Sequence, residues 1–406
     1  MTASLSSDTT KRNQEWGALK ISTIFVRCLL GFGILLISDV TVARTIITHA
    51  PLQQHWIKRG LVLKPGFAGP ESSKFVSSPS VVRLRNGHLR MYVWAADGTP
   101  PWLHGRHIIL AVEADPADPM HWKLVSKKPL VGPDPDSDIR DRGVGFPYVL
   151  PRRGAPWLMY YGTWGGSWAA RKELTNRLGL AVSDDQGLTW RVAKESVLPS
   201  GPPGSFDAGA IPSAAVLRNG ADGYTMWYTA AGKYIPFGDI NQGILSIGVA
   251  RSSDGVNWDK SVQPALPARE GAARPFEACL ARPAVLKLNG VYHMWFGVYD
   301  MAPGSHPTGV DRHGADAAKQ QKISLKAPSG GSYHLEYARS TDGLNWTRYA
   351  GQSIMPPTPG GFDSHDQTYA SVVDMGDQIW LFYTGNGLGN TGIGLATLDK
   401  SELRAE

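Results

Sequence analysis

Five times along the chain an apolar run, a turn and an aromatic run follow one another in the same order. The first runs are SPSVVRL, FPYVLPR, PSAAVLR, RPAVLKL and YASVVDM. The aromatic runs are LRMYVWAA, WLMYYGTW, YTMWYTAA, YHMWFGVY and IWLFYTGN. Segments of this length, rich in Val, Tyr, Phe and Trp and apolar almost throughout, predict strands buried on both faces. Asn86-Gly87, Asn219-Gly220 and Asn289-Gly290 separate three of these pairs, and Asn-Gly is the strongest short hairpin signal. A third run (LGLAVS, LSIGVARS, LEYARS or GIGLAT) leads to a turn written nearly alike three times: SDDQGLTW, SSDGVNW and STDGLNW.

The Trp that ends each such turn sets a register. Trp56, Trp122, Trp190, Trp258 and Trp346 are spaced by 66, 68, 68 and 88 residues. A short fourth strand follows each Trp. Four antiparallel strands in each of five units predict an all-β fold, a five-bladed β-propeller, in which every blade buries its faces against its neighbours. The fifth unit ends soon after GIGLATLDK without a fourth strand, and HWIKRGLVL (55–63) precedes the first unit without one of its own. That N-terminal strand is expected to pair beside residues 391–397 and close the ring. The longest spacing predicts an insertion at about 302–332, whose Gly, Ser, Lys and Asp content marks a loop.

The domain division is then 1–43 as leader and 44–406 as propeller. CLLGFGILLISDVTVA (28–43) is apolar except for Ser38 and Asp39, and follows the basic flank KRNQEWGALKISTIFVR. It reads as a signal peptide cut after Ala43, making the protein exported, periplasmic or extracellular. The alternative is a membrane anchor over residues 19–42, attaching the protein through its N-terminus. Cys28 falls in this segment, which leaves Cys279 as the single thiol beyond it and excludes an internal disulfide there. The net charge of +6 over 406 residues makes no basic stripe, so nucleic acid is not an expected partner. No protein partner is predicted. Fourteen Trp, 14 Tyr and 46 Gly favour short strands and a ring-lined surface suited to sugars.

In an up-and-down meander the Asn-Gly hairpins and the Asp-Gly turns share one face. Loops that lead into each first strand, and loops that leave each aromatic strand, share the other. Short Asp-Gly turns satisfy their own backbone, so the chemistry is expected on the opposite face. A few residues before each first-strand Pro, or its equivalent, stand Ser73, Asp141, Asp207, Glu277 and Ser364, the last flanked by Asp363 and Asp366. Asp141, Asp207 and Glu277 are the expected catalytic set. Grouped round one central pit, like charges raise one pKa and leave another ionised, dividing acid from base or nucleophile at a glycosidic bond. The expected substrate-binding residues are Trp94, Trp164, Trp168, Tyr234, Tyr299, Asp363, His365, Asp366 and Asn386, with Trp102 and His104 on the same rim. No Walker loop, dinucleotide fingerprint or GxSxG elbow appears in a usable context. No metal site or cofactor is expected, and a structural calcium near the axis is left open.

SDDQGLTW resembles the Asp-box of sialidase-like propellers, in which the acid ties up the turn and the Trp packs between sheets. The Asp, Asp, Glu series on consecutive units resembles the invertase, levansucrase, arabinanase and β-xylosidase superfamily, glycoside hydrolase families 32, 43 and 68, over roughly 55–398. RPAVLKLNGVYHMWF, YARSTDGLNW and WLFYTGNGLGNTGIGLAT look like a bacterial branch of it, some members of which accompany polysaccharide genes. The resemblance implies Asp141 as nucleophile or water-activating base, Asp207 as sugar-orienting, and Glu277 as general acid. Arg142 and Arg282 would bind substrate or hold the carboxylates ionised. The first unit, SSKFVSSPSVV, carries no acid at this place, so a shifted set of Glu277, Asp363 and Asp366 assisted by His365 is the alternative. The leading expectation is an exported glycosidase or glycosyl-transferring enzyme acting on an oligo- or polysaccharide. A non-catalytic glycan-binding propeller serving polysaccharide assembly or export, and a sialidase-like hydrolase, are the other readings.

Overall fold

The structure, a computed structural model, describes residues 43–97, 106–165, 176–220, 222–237, 240–269, 276–301 and 331–403. The leader, Cys28, Trp102, His104, Trp168 and nearly all of the expected insertion lie outside them. The described chain is almost wholly β. Two short strands come first, β1 (Thr45–Ile47) and β2 (Ile57–Leu63). Antiparallel meanders follow. The first is β3 (Phe75–Arg83), β4 (Leu89–Ala96), β5 (His107–Ala114) and β6 (Lys123–Leu124). The second is β7 (Gly143–Leu150), β8 (Trp157–Trp164), β9 (Leu178–Ser183) and β10 (Arg191–Val192). The third is β11 (Ser213–Arg218), β12 (Tyr224–Phe237), β13 (Ile240–Ser252) and β14 (Asp259–Lys260). The fourth is β15 (Phe276–Leu288), β16 (Val291–Met301), β17 (Gly331–Ser340) and β18 (Trp346–Arg348). The last is β19 (Thr368–Asp374), β20 (Gln378–Thr384) and β21 (Ile393–Asp399), to which β2 adds antiparallel, Ile57 opposite Thr397 and Leu63 opposite Ile393.

Single parallel bridges, His107 to Gly143 and Leu245 to Cys279, join meanders into larger sheets of eight and nine strands, beside one of four. β1 extends the fourth meander, parallel to β18. No sheet closes on itself among the described residues. Apolar side chains fill the space between consecutive meanders. Tyr160 and Leu180 meet Met226 and Tyr228, and Trp295 and Tyr337 meet Leu381 and Tyr383. Val93 and Leu110 of the first meander meet Phe382 and Leu395 of the last. Strands buried from both sides account for runs with no polar alternation.

The repeated turn has a specific job. In SDDQGLTW the Asp185 carboxylate accepts from the Leu188 and Thr189 amides (3.1 and 2.9 Å) and from the Thr189 hydroxyl (2.6 Å). Asp254 and Asp342 hold their turns in the same way. The glycine carbonyl thus fixed in place accepts from the aromatic strand of the preceding meander. Tyr92 Oη donates to Gly187 (3.0 Å), Tyr160 Oη to Gly255 (2.6 Å) and Trp227 Nε1 to Gly343 (2.9 Å). Gly187 has φ 84°, and a Cβ there would lie 2.0 Å from the Tyr92 oxygen, so only glycine fits. At the corresponding place Trp295 Nε1 reaches Gln54 (3.3 Å), and Phe382 meets Trp122 edge-on at 5.7 Å. The turn recurs because each copy latches a neighbour.

Candidate active site

The lead-in acids follow a rule that also involves the fourth strand. Asp207 accepts from Lys260 Nζ (2.7 Å) and Tyr228 Oη (3.0 Å). Asp363 accepts from Lys58 Nζ (2.5 Å) and Tyr383 Oη (2.9 Å). The two motifs, GSFD and GGFD, are structural copies, so Asp363 and not Ser364 matches Asp207. Glu277, wholly buried, is gripped by Arg348 Nη1 and Nη2 (2.9 and 2.6 Å) and by the Arg269 side chain and amide (2.6 and 2.9 Å). Lys58, Lys260 and Arg348 all stand two residues after the register Trp; Leu124 and Val192 hold that place in the first two meanders. Acid before the first strand goes with a cation on the fourth. This geometry corrects the expectation for Asp207 and Glu277, each of which is turned toward the outer strand of its own meander and not toward a common pit. Asp141, whose fourth strand offers Val192, stays exposed where the chain approaches β7.

Each first strand but that of the third meander carries a positive φ at the residue before its Pro or Ala: Ser78 (51°), Phe146 (49°), Arg282 (45°) and Tyr369 (50°). Pairing is irregular there in all four strands. Proline, lacking an N–H, belongs at such bulges. Left-handed backbone at bulky residues costs about 1–3 kcal/mol each and persists where surroundings over-determine it. Arg282 does much of that determining. Its guanidinium donates to the carbonyls of Ala370 (2.9 Å), Tyr369 (3.4 Å), Ser78 (3.1 Å) and Pro147 (2.6 Å), while its amide donates to Thr229 Oγ1 (2.9 Å). One side chain therefore bonds three other meanders, and the same residue's amide bonds the remaining one. At 3% exposure Arg282 is buried and braces the centre of the fold.

The bulges aim rings at the opposite side, where they form a continuous floor. Trp94 stacks on Trp164 (4.8 Å), Phe146 on Trp164 (5.4 Å), and Phe146 meets Tyr369 edge-on (5.2 Å). Tyr369 approaches Tyr333 (6.0 Å), which leans on Tyr299 (4.9 Å). The chain of rings crosses four meanders. Trp94 and Tyr299 are buried supports, whereas Trp164, Tyr234, Tyr333 and Leu388 are half-buried and form its accessible part. Under Trp164 lies His107, whose Nδ1 accepts from Trp94 Nε1 (3.1 Å). Burial lowers its pKa to about 4, and it is a neutral part of the floor. Arg142 and His365 are exposed on this side. Asn386 Oδ1 accepts from the amides of His365 and Asp366 (2.8 and 2.9 Å), and Asp366 from those of Tyr333 and Gly387 (both 3.0 Å). These two shape the rim.

Beside the floor is a carboxyl that sequence reasoning missed. Asp300, at the end of β16 next to Tyr299, has Oδ1 buried with no hydrogen-bond partner among the described residues. Oδ2 lies 3.5 Å from His334 Nδ1, and His334 Nε2 lies 3.2 Å from Glu336 Oε1. Arg348 holds the other oxygen of Glu336 through Nε and Nη2 (2.9 and 2.8 Å). Burial raises the Asp300 pKa, with the nearby Glu277 and Glu336 charges adding to it against His334 and Arg269. Burial alone would also raise Glu336, but the His334 hydrogen bond and the Arg348 charge outweigh it, and its pKa is lowered. A neutral imidazole has one N–H for two facing carboxyl groups. The signal available in the sequence was a Glu inside the apolar run LEYARS. Among the described residues no group of three or more His, Cys, Asp or Glu converges as metal ligands.

No protein-family model matches the chain. It is 26% identical over 346 residues to the uncharacterized protein MT1551 of Mycobacterium tuberculosis (strain CDC 1551 / Oshkosh), spanning 85% of this chain and 99% of that protein. The uncharacterized protein Rv1502 of Mycobacterium tuberculosis (strain ATCC 25618 / H37Rv) matches to the same extent. Solved structures resemble it in fold at much lower identity. One is described as a glycoside hydrolase (TM-score 0.59, 18% identity, 84% of this chain and 90% of that one). Another belongs to work showing that the GH130 family of mannoside phosphorylases contains glycoside hydrolases that target beta-1,2 mannosidic linkages in Candida mannan (TM-score 0.58, 16% identity, 87% and 92%). A third is a thermostable family-43 glycoside hydrolase (TM-score 0.50, 15% identity, 80% and 88%). The fold is that of propeller-type glycoside hydrolases. The chain of rings lies on the side of that fold expected to carry chemistry.

Proposed function

We propose that the protein is an exported glycoside hydrolase or glycosyl-transferring enzyme that acts on an oligo- or polysaccharide at the aromatic floor. The observation that carries this reading is the floor itself: a chain of rings crossing four meanders, with Trp164, Tyr234 and Tyr333 as its half-buried, accessible part and a protonatable carboxyl at its edge. Ring faces stack on the CH faces of a sugar, and the rim amides and carboxylates take its hydroxyls. We further read the architecture as a five-bladed propeller whose last blade is completed by β2. The pairing of β2 with β21 and the packing of the first meander on the last support it.

Two carboxyl groups divide the chemistry of glycosidic cleavage. Asp300 is the general acid, since burial raises its pKa and favours the protonated form that a leaving oxygen needs. Asp141, exposed on the same face, is the nucleophile or the base that activates water. Glu277, gripped by two arginines, acts by fixing Arg348 and through it Glu336. One observation favours the non-catalytic, glycan-binding reading: Asp207, Glu277 and Asp363 are all engaged in ion pairs. The deciding experiment incubates the protein with a panel of bacterial polysaccharides and aryl glycosides and follows products by NMR. Release of reducing sugar or transfer product supports the enzyme. Saturable binding with no product supports the binding module.

A further inference from the structure

We infer that the axial cavity beneath Arg282 is a binding site for a small monovalent anion of about chloride size. The cavity is about 50 Å³ and is bounded by Pro79, Ser80, Tyr148, Arg282, Pro283 and Ser371, among other first-strand residues. One of its walls is formed by Arg282, the residue that braces the centre of the fold. Among the described residues that cation bonds only to carbonyl oxygens, which solvate it without neutralising it. Buried charges are ordinarily paired, and a buried cation with no carboxylate leaves room for a mobile counter-ion. Burial lowers the Arg282 pKa to about 9, the direction expected for a cation short of negative charge.

The polar groups around the cavity select for an anion. Ser80 Oγ accepts from the Val149 amide (2.9 Å) and Ser371 Oγ from the Val81 amide (2.9 Å). With an amide already donating to each oxygen, each hydroxyl proton is the group left to offer inward. The Tyr148 hydroxyl is directed away, to the Val216 carbonyl (2.7 Å). Two hydroxyl donors and a guanidinium disfavour any metal cation. A space of this size exceeds the roughly 30 Å³ share of one water in the liquid and suits one chloride or bromide. An anion here would bear on the bonds through which Arg282 ties the meanders together, so occupancy is linked to stability.

The test uses the full chain at fixed ionic strength, replacing gluconate, too large for the cavity, by chloride or bromide. Thermal unfolding and the chloride NMR linewidth are read together. The expected result is a Tm that rises to saturation with chloride and with bromide, and a chloride line broadened by the protein and narrowed by added bromide. Arg282→Met abolishes both effects. Should that variant fail to fold, the pair Ser80→Ala and Ser371→Ala decides, with the half-saturating chloride concentration expected to rise about tenfold. A Tm indifferent to the exchange of gluconate for chloride overturns the inference. So does a non-saturating rise of equal slope in the serine pair, which is a general salt effect.

Discussion

The two faces of the molecule use carboxylates in opposite ways. On the turn face Asp185 is exposed, yet hydrogen bonds from Thr189, Ser183 and Leu188 outweigh its partial desolvation and lower its pKa to about 2. Asp254 is held lower than usual chiefly by the Asn257 amide, and Asp342 by the Asn345 bonds against desolvation. These are finished structures, stable as anions and spent on backbone. On the opposite face Asp300 is pushed the other way by burial and by two neighbouring carboxylates. An acid whose charge is well satisfied anchors a turn. One whose charge is poorly satisfied can give up a proton. The proposed site lies where bonding is incomplete, not where a motif repeats.

The comparison can be broken by substitution. The largest effect is expected from Arg348→Met, which leaves buried Glu277 to Arg269 alone and buried Glu336 to His334 and the Gly351 amide; stability should fall by about 3–5 kcal/mol in a denaturant titration. Trp164→Ala should weaken glycan binding by about 1 kcal/mol, several-fold in Kd by calorimetry, and should also lower stability, because the half-buried ring stacks on Trp94, Phe146 and His107. Tyr160→Phe removes one latch to Gly255 and should cost about 1 kcal/mol. Phe382 already occupies the matching place in the last meander, so the change is expected to fold.

The smallest effects are in pH. The depressed Asp185 contributes stability that is present above the ordinary aspartate range and lost as pH falls from about 4 toward 2. Asp185→Ala should flatten that acid limb of a Tm-against-pH curve. Asp300 has the opposite sign. Its raised pKa means stability is highest while it is protonated and declines as pH rises through the folded-state value. Asp300→Asn should remove that decline and leave the acid limb untouched. Identical pH curves for the two variants would end the contrast between the faces.

Much of the fold could be read in advance from the Trp register, because the latch that fixes the Trp turn is local and is rewritten each time with the same residue types. The pairing of β2 with β21 was legible for the same reason, since HWIKRGLVL carries the register Trp without a unit of its own. The aromatic floor was legible in part: Trp164, Tyr234 and Tyr299 were expected there, while Phe146 and Tyr369 required knowledge of the bulges that turn them upward. The acids were misjudged for a physical reason. A carboxylate ahead of a strand looks alike whether it faces the axis or the outer strand. What distinguishes the cases is the residue two past the Trp, about 50 to 70 positions away for Asp207 and Glu277 (Lys260 and Arg348) and at the far end of the chain for Asp363 (Lys58). Asp300, His334 and Glu336 become neighbours only when β16 pairs with β17, Val298 opposite His334 and Asp300 opposite Ser332.

The most direct test of the central claim compares Asp300→Asn with the unmodified protein on two versions of one sugar. An alkyl glycoside needs its leaving oxygen protonated; a dinitrophenyl glycoside does not. If Asp300 is the acid, turnover of the first should fall by about 10²–10⁴ while turnover of the second is nearly retained. Equal loss on both substrates, or no loss on either, would contradict the assignment.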